Sequence, residues 1–319
     1  MEKQFKKYLQ VLILCFAAAM LGFGLINVFL DVFGLFGFKN KDQVRVYGEE
    51  RFSKYLMTFE FVPQNFEGMI LGPSLSANLN PDHIQNKNYF NLSLMGARIN
   101  NVLSLATNVI ENNGNIKEAI VCIHPYVTSD TGTDASDFMN PDTYWKAFGS
   151  VNLLRVYGLG IIRNFNLWPN KYPKNQYNTN GSNSFEPLFK VENVSNRILE
   201  EVNNVKVNEF SIGEGQRKDF EELLTLLQTN NIRTFVYYHP VPYPIFDAYK
   251  EEIDQYWKDI LSMAKNNQGS QLSFYNFNNP EFYDFSQDVS NYIDHGHLSK
   301  KGQEILIQKI LTQWEHRNH

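Results

Sequence analysis

After residue 64 the chain carries five short apolar runs, and most of them stop at a residue that ends a strand. Glu67–Leu71 stops at Gly72, Glu118–Ile123 at His124-Pro125, and Arg233–Tyr238 at His239-Pro240. Tyr89–Ser93 and Leu272–Phe277 are the other two. Apolar runs of this length bounded by Gly or Pro read as buried strands. Between them the spacing turns helical: Asn100–Asn112 carries Val102, Leu103, Leu105, Ala106, Val109 and Ile110, and similar patterns cover Gln216–Gln228, Pro244–Lys265 and Lys300–Glu315, with a shorter helix at Pro81–Gln85. Strands alternating with helices imply an α/β fold, a three-layer α/β/α sandwich around a mainly parallel five-stranded sheet. The rhythm lapses from Val127 to Gly213, a stretch rich in Asn, Pro, Tyr and Trp. So long an irregular piece inside an α/β unit reads as a lid or binding insertion, or equally as a surface that docks a partner or rests on a membrane.

The N-terminus has a different pattern. From Tyr8 to Leu30 only Gln10 and Asn27 interrupt the apolar residues, and about 20 such residues suffice to cross a bilayer as a helix. The apolar character continues to Phe38, which is long for a cleaved signal peptide and favours an uncleaved anchor over residues 8–37. Lys3, Lys6 and Lys7 precede it, so residues 1–7 are expected in the cytoplasm and the rest outside it. Residues 38–64 then form a juxtamembrane connector, and residues 65–319 one α/β domain with its insertion at about 127–213.

Charge and cysteine content narrow the classes. Lys and Arg total 29 against 34 Asp and Glu, a net charge of −5 with no extended basic run, which argues against nucleic acid as a partner. Of the two cysteines, Cys15 sits in the apolar segment and Cys122 in a buried strand, so no disulfide is expected.

The chemistry gathers at both ends of the domain. Gly72-Pro73-Ser74 follows the first strand and opens into a short helix, a turn that presents a side chain at the carboxyl edge of the sheet. Near the other end, Asp294-His295-Gly296-His297 precedes the last helix. A serine needs a base to take its proton, and the base needs a carboxylate to fix its tautomer; Asp294 and His297, three apart, can supply both from one loop. Ser early and Asp-x-x-His late resemble the SGNH (GDSL-like) hydrolases, and Asn91–Ala97 is similar to that family's second block.

The resemblance implies Ser74 as nucleophile, His297 as base, Asp294 as its orienter, and the backbone N–H groups of Ser74 and Gly96 as oxyanion donors. The chain departs from the family in having Pro73 where Asp is usual, and in lacking a clear Gly-x-Asn third block. Asn78 and Tyr126 are candidate substitutes for that donor; His124 and His239, at strand ends, line the cleft or are simply satisfied edge histidines. Asp288 is a fallback for the Asp role, and Ser76 reads as a helix cap. No cofactor is expected. A rival set, Asp294, His295 and His297 with His124 and His239, has the donor types of a zinc-dependent hydrolase but leaves Ser74 without a role. The membrane-anchored form resembles exported proteins that O-acetylate or D-alanylate cell-envelope polymers beside membrane-bound O-acyltransferases. It implies acyl-ester chemistry on an envelope polysaccharide, transferase before esterase, with such an acyltransferase as partner. The alternative is a non-catalytic assembly subunit that keeps the fold.

Overall fold

A computed structural model describes residues 2–112, 114–129, 138–205, 207–265 and 271–316. Five strands, β1 (Gly68–Leu71), β2 (Tyr89–Asn91), β3 (Glu118–Ile123), β4 (Arg233–Tyr238) and β5 (Leu272–Asn276), form one sheet in the order β2-β1-β3-β4-β5, with every pairing parallel. Each strand coincides with an apolar run. Because successive side chains point to opposite faces, the central strands feed two cores. Met69, Leu71, Ala119, Val121, Ile123, Val236 and Tyr238 pack with residues of helices Ile99–Glu111, Glu214–Thr229 and Lys250–Ala264. Ile70, Ile120, Cys122, Phe235 and Tyr237 meet Leu306, Ile307, Ile310 and Trp314 of the last helix, Lys300–His316. The fold is therefore the three-layer α/β arrangement that the alternation of runs implied.

Two expected elements differ in detail. The helix expected over 244–265 is two, Tyr243–Ala248 and Lys250–Ala264, because Tyr249 leaves helical geometry at φ −124°. The segment after Pro81 is a single 3₁₀ turn, Pro81–His83, held by Asn80, whose side chain accepts from the Asp82 N–H.

From β1 the chain steps outward to β2 and then returns across β1 to β3, so the strand order reverses at the β1/β3 boundary. In open parallel sheets ligands bind outside the carboxyl ends of the strands at such a point.

The N-terminal helix, Glu2–Leu30, is apolar enough to be a signal anchor or a membrane span, and its exposed side chains are almost all apolar. It ends at Leu30, where Asp31 takes a positive φ of 41° and its carboxylate accepts from the N–H groups of Leu35 and Phe36. Beyond that turn the chain joins the domain. Phe33, with Phe52 and Leu56 of helix Glu50–Met57, forms a third core with Ala147, Leu153 and Val156 of the insertion.

The insertion is largely helical, with Val151–Asn164 and Val194–Asn204 its longest elements. Arg163, almost fully enclosed, fastens it: its guanidinium donates at 2.6 Å to the carbonyls of Tyr47 and Pro173 and to Gln176 Oε1. A turn within it closes on the free side of β2, where the Asn91 N–H donates to Asn180 O at 2.8 Å.

Candidate active site

β1 runs into Gly72, which takes φ +153° and has no room for a Cβ: one built there would lie 2.6 Å from Cys122 Cβ and 2.5 Å from Ser76 Oγ. The glycine lets the chain pass against β3 and turn at once into the short helix Ser74–Ala77. Ser74 stands at its first position. Ser76 is not the helix cap the sequence suggested, since Pro73 holds that position; it lies inside the helix, where its hydroxyl donates to Pro73 O at 3.1 Å and bonds Ser93 Oγ at 2.8 Å, tying the turn to the loop after β2. Asn91 completes the tie, donating to the carbonyls of Ser76 and Leu79, both at 2.8 Å.

The Asp294–His297 loop reaches Ser74 from the opposite end of the chain. Asp294 Oδ1 accepts from the N–H groups of Gly296 (2.8 Å) and His297 (2.7 Å), which closes a tight turn. Its Oδ2 lies 2.7 Å from His297 Nδ1, and His297 Nε2 lies 2.9 Å from Ser74 Oγ. With Nδ1–H donating to the carboxylate, Nε2 is left to accept from the serine hydroxyl. Burial pushes the Asp294 carboxyl up, but hydrogen bonding to the His297 ring, that ring's charge, and the two N–H groups outweigh it and hold it at about 2. The carboxylate is therefore ionised at any working pH. The Phe185 ring, from the insertion, packs edge-on at 5.4 Å against the imidazole and restricts its rotation.

The other expected residues fall into distinct places. Gly96, at φ +66°, stands exposed in the loop after β2, whose Leu94 N–H donates to Gly72 O at 3.1 Å. Asn78 is not open toward Ser74: it is buried and its amide donates to Leu298 O at 2.7 Å, which braces the nucleophile helix against the histidine loop. Tyr126 directs its hydroxyl to Glu201 of the insertion, at 3.3 Å. His124 follows β3, where its ring accepts from the Tyr126 N–H and lies against the Tyr126 ring at 4.5 Å, tilted by 46°. His239, fully buried after β4, lies with Nε2 3.1 Å from Gly296 O and so supports the loop from behind. Burial keeps it neutral by lowering it to about 3. Asp288 bonds Lys301 and Ser290 and takes no part in the relay.

His295 turns toward Glu201, with Nε2 at 3.8 Å from its carboxylate. Among the described residues no three His, Cys, Asp or Glu side chains converge as a metal would require. The histidines of the zinc alternative are spread over separate partners. A small cavity of about 40 Å³ opens beside the relay, lined by Leu75 and Gly296 and by His124, Tyr126, Glu201 and Phe210. Its walls are mostly apolar, and the insertion closes its far side.

No family model and no curated protein matches the chain. Several solved structures are similar to it, three of them as follows. A Streptococcus pneumonia protein named as a platelet activating factor is 12% identical over 83% of this chain and 92% of its own, at a TM-score of 0.45. A GDSL-like lipase from Bacteroides thetaiotaomicron is 10% identical over 77% and 87%, at 0.36. An acetyl xylan esterase from the rumen bacterium Butyrivibrio proteoclasticus is 13% identical over 77% and 64%, at 0.30.

One part of the site had no expression in the sequence pattern. Helix Glu50–Met57, between the N-terminal helix and β1, grips the loop that carries Gly96. Lys54, with no exposed side-chain surface, donates from Nζ to Ser93 O at 2.6 Å and pairs with Glu50 at 3.2 Å. Arg51 donates to Met95 O at 2.8 Å, and the Met95 N–H donates to Glu50 Oε2 at 3.2 Å. A Glu and a Lys four apart on a helix was the available signal, but such pairs usually stand in solvent.

Proposed function

We propose that this chain is a serine-dependent acyl-ester enzyme, an O-acyltransferase before an esterase, acting outside the cytoplasm on a cell-envelope polysaccharide. The observation that carries this is the continuous hydrogen-bonded relay from Ser74 Oγ through His297 to Asp294.

The chemistry follows from the order of contacts. His297 Nε2 takes the Ser74 proton as Oγ attacks the ester carbonyl. The negative charge that develops on the carbonyl oxygen would be met by the N–H groups of Ser74 and Gly96; a donor of this kind is worth about 3 kcal/mol. The tetrahedral species collapses when His297, now imidazolium, gives its proton to the departing alkoxide, which leaves Ser74 acylated. An incoming hydroxyl, from a sugar in the transferase or from water in the esterase, then loses its proton to His297 as its oxygen attacks the acyl carbonyl, and the bond to Ser74 Oγ breaks as His297 returns that proton to Oγ. Asp294 stays ionised throughout and stabilises the imidazolium. A membrane-bound O-acyltransferase would supply the acyl donor, and the N-terminal helix would keep the site beside it.

A second reading, a non-catalytic assembly subunit, is favoured by one specific observation. Asn78 and Tyr126, the candidate third donors, are both committed elsewhere, and Pro73 has no N–H to offer. An activated-serine probe and turnover of an acetyl ester separate the two. Ser74→Ala and His297→Ala should each remove nearly all turnover, with the double variant hardly worse, because members of such a relay act as a unit. Asp294→Asn should cost less, and His295→Ala little. Probe labelling unchanged in Ser74→Ala would end the enzyme reading.

A further inference from the structure

The helix Val151–Asn164 has two apolar faces. Leu153, Val156 and Gly160 face inward, where Arg163 is also enclosed. Val151, Leu154 and Ile161, with Phe165 just past the helix end, are 67, 57, 54 and 73% exposed. They recur every three to seven residues and so line one outer stripe. Trp168 extends it at 61% exposure. Contiguous apolar surface of this kind is uncommon on a soluble protein and marks a contact site.

What covers it is indicated by what lies beside it. Tyr157 packs edge-on at 6.5 Å against Phe23 of the N-terminal helix, and its hydroxyl donates to Asn27 Oδ1 at 2.6 Å. The Asn27 amide in turn donates to Ala147 O at 2.9 Å. The one strongly polar residue in the outer half of the apolar helix is thus satisfied by the insertion. Ile161 and Phe165 border the same crevice as Leu30 and Val32. A stretch such as Tyr8–Leu30 spans about 34 Å at 1.5 Å per residue, slightly more than the roughly 30 Å hydrocarbon layer. Its last turns then reach the interface, and anything packed on Asn27 sits at that depth. Trp168, with Tyr172 at 6.5 Å and Lys171 over the Tyr172 ring at 5.4 Å, is the kind of aromatic and basic cluster found at headgroup level.

We propose that the outer stripe of helix Val151–Asn164, together with Trp168, lies in the interfacial layer of the bilayer that the N-terminal helix enters, with phospholipid as its partner. The insertion then holds the domain in a fixed attitude to the membrane rather than leaving it to swing on a tether.

The test places the full chain in nanodiscs of phosphatidylcholine and phosphatidylglycerol, with brominated or ordinary acyl chains, and reads tryptophan fluorescence. The Trp168 component is the difference between the wild type and Trp168→Phe. It should fall about twofold with bromine, as expected of an aromatic at the interface, and Ile161→Asp with Phe165→Asp should weaken that quenching. Leu14→Trp reports whether the helix itself is embedded. Quenching of Leu14→Trp without quenching of Trp168 would overturn the proposal, and in that case a doubled particle mass would identify a second copy as the occupant. If neither is quenched, the helix does not enter the bilayer and the proposal fails with it.

Discussion

Replacing Lys54 with Met tests whether helix Glu50–Met57 supports the chemistry proposed for Ser74. Burial pushes the Lys54 ammonium down from its ordinary range, and the adjoining Glu50 carboxylate opposes that shift. Taking away one partner of a buried pair costs about 3–5 kcal/mol, chiefly because the other charge is left alone. Glu50 retains the Met95 N–H and is 8% exposed, so the low end of that range, about 3 kcal/mol, is expected. Lys54→Met combined with Glu50→Gln removes both charges and should recover most of the loss, leaving about 1 kcal/mol for the missing bond to Ser93 O. The rate should not recover with it. Loss of an oxyanion donor costs about 10²–10³-fold in kcat, and a loop merely loosened should lose a fraction of that, about tenfold, with KM unmoved. Thermal unfolding in detergent and single-turnover acylation by an acetyl ester read the two effects separately. A single variant that loses under about 0.5 kcal/mol, within the range of ordinary surface changes, and acylates at the wild-type rate would refute the reasoning.

Two further predictions concern stability. Gly72→Ala should cost about 2–4 kcal/mol in thermal unfolding, since the new methyl meets Cys122 and the backbone has an unfavourable φ; a loss below about 0.5 kcal/mol would show that the turn can relax. Acid should act in two windows. His239 is held at about 3 by burial, so its contribution is complete above its unfolded value of about 6.5 and is lost as pH falls from there toward 3. Asp294, held at about 2, contributes about 2 kcal/mol above its unfolded value of about 3.9, lost as pH falls toward 2. Chemical denaturation as a function of pH should therefore show weakening from about pH 6 that His239→Gln reduces, and a pH-independent stability down to about 4 would contradict it.

Much of the fold was legible because each strand coincides with a short apolar run, and three of the runs have a hard stop, at Gly72, His124 and His239, all at the carboxyl edge. The Ser74, Asp294 and His297 relay was legible because a three-residue spacing prefigures one loop. What the sequence hid depends on distant partners. Asn78 reads as a free amide beside a nucleophile until Leu298, 220 residues on, takes its hydrogen bond. Phe185 lies in irregular sequence, yet it confines the His297 ring. Lys54 reads as surface because lysine is almost never fully buried unless paired, and its partner Ser93 comes from another element. The contacts of the insertion were not legible either: Glu201 and Phe210 line the cavity, and Tyr157 bonds Asn27 of the N-terminal helix.

The turn that closes on β2 bears on how the molecule behaves in a crowd. An exposed parallel sheet ends in a strand whose free N–H and C=O groups invite another chain to add itself. Here β2 is only three residues long, and the Asn91 N–H is already taken by Asn180. Asn180 is locked in turn by its amide's bonds to Asn80 (2.6 Å) and Asp82 (2.8 Å), while Gly181, at φ +79°, leaves no room for a side chain against Asn91 O. A neighbouring copy could pair with this edge only by first prising that turn away. On this side the sheet is sealed against edge-to-edge growth into aggregates.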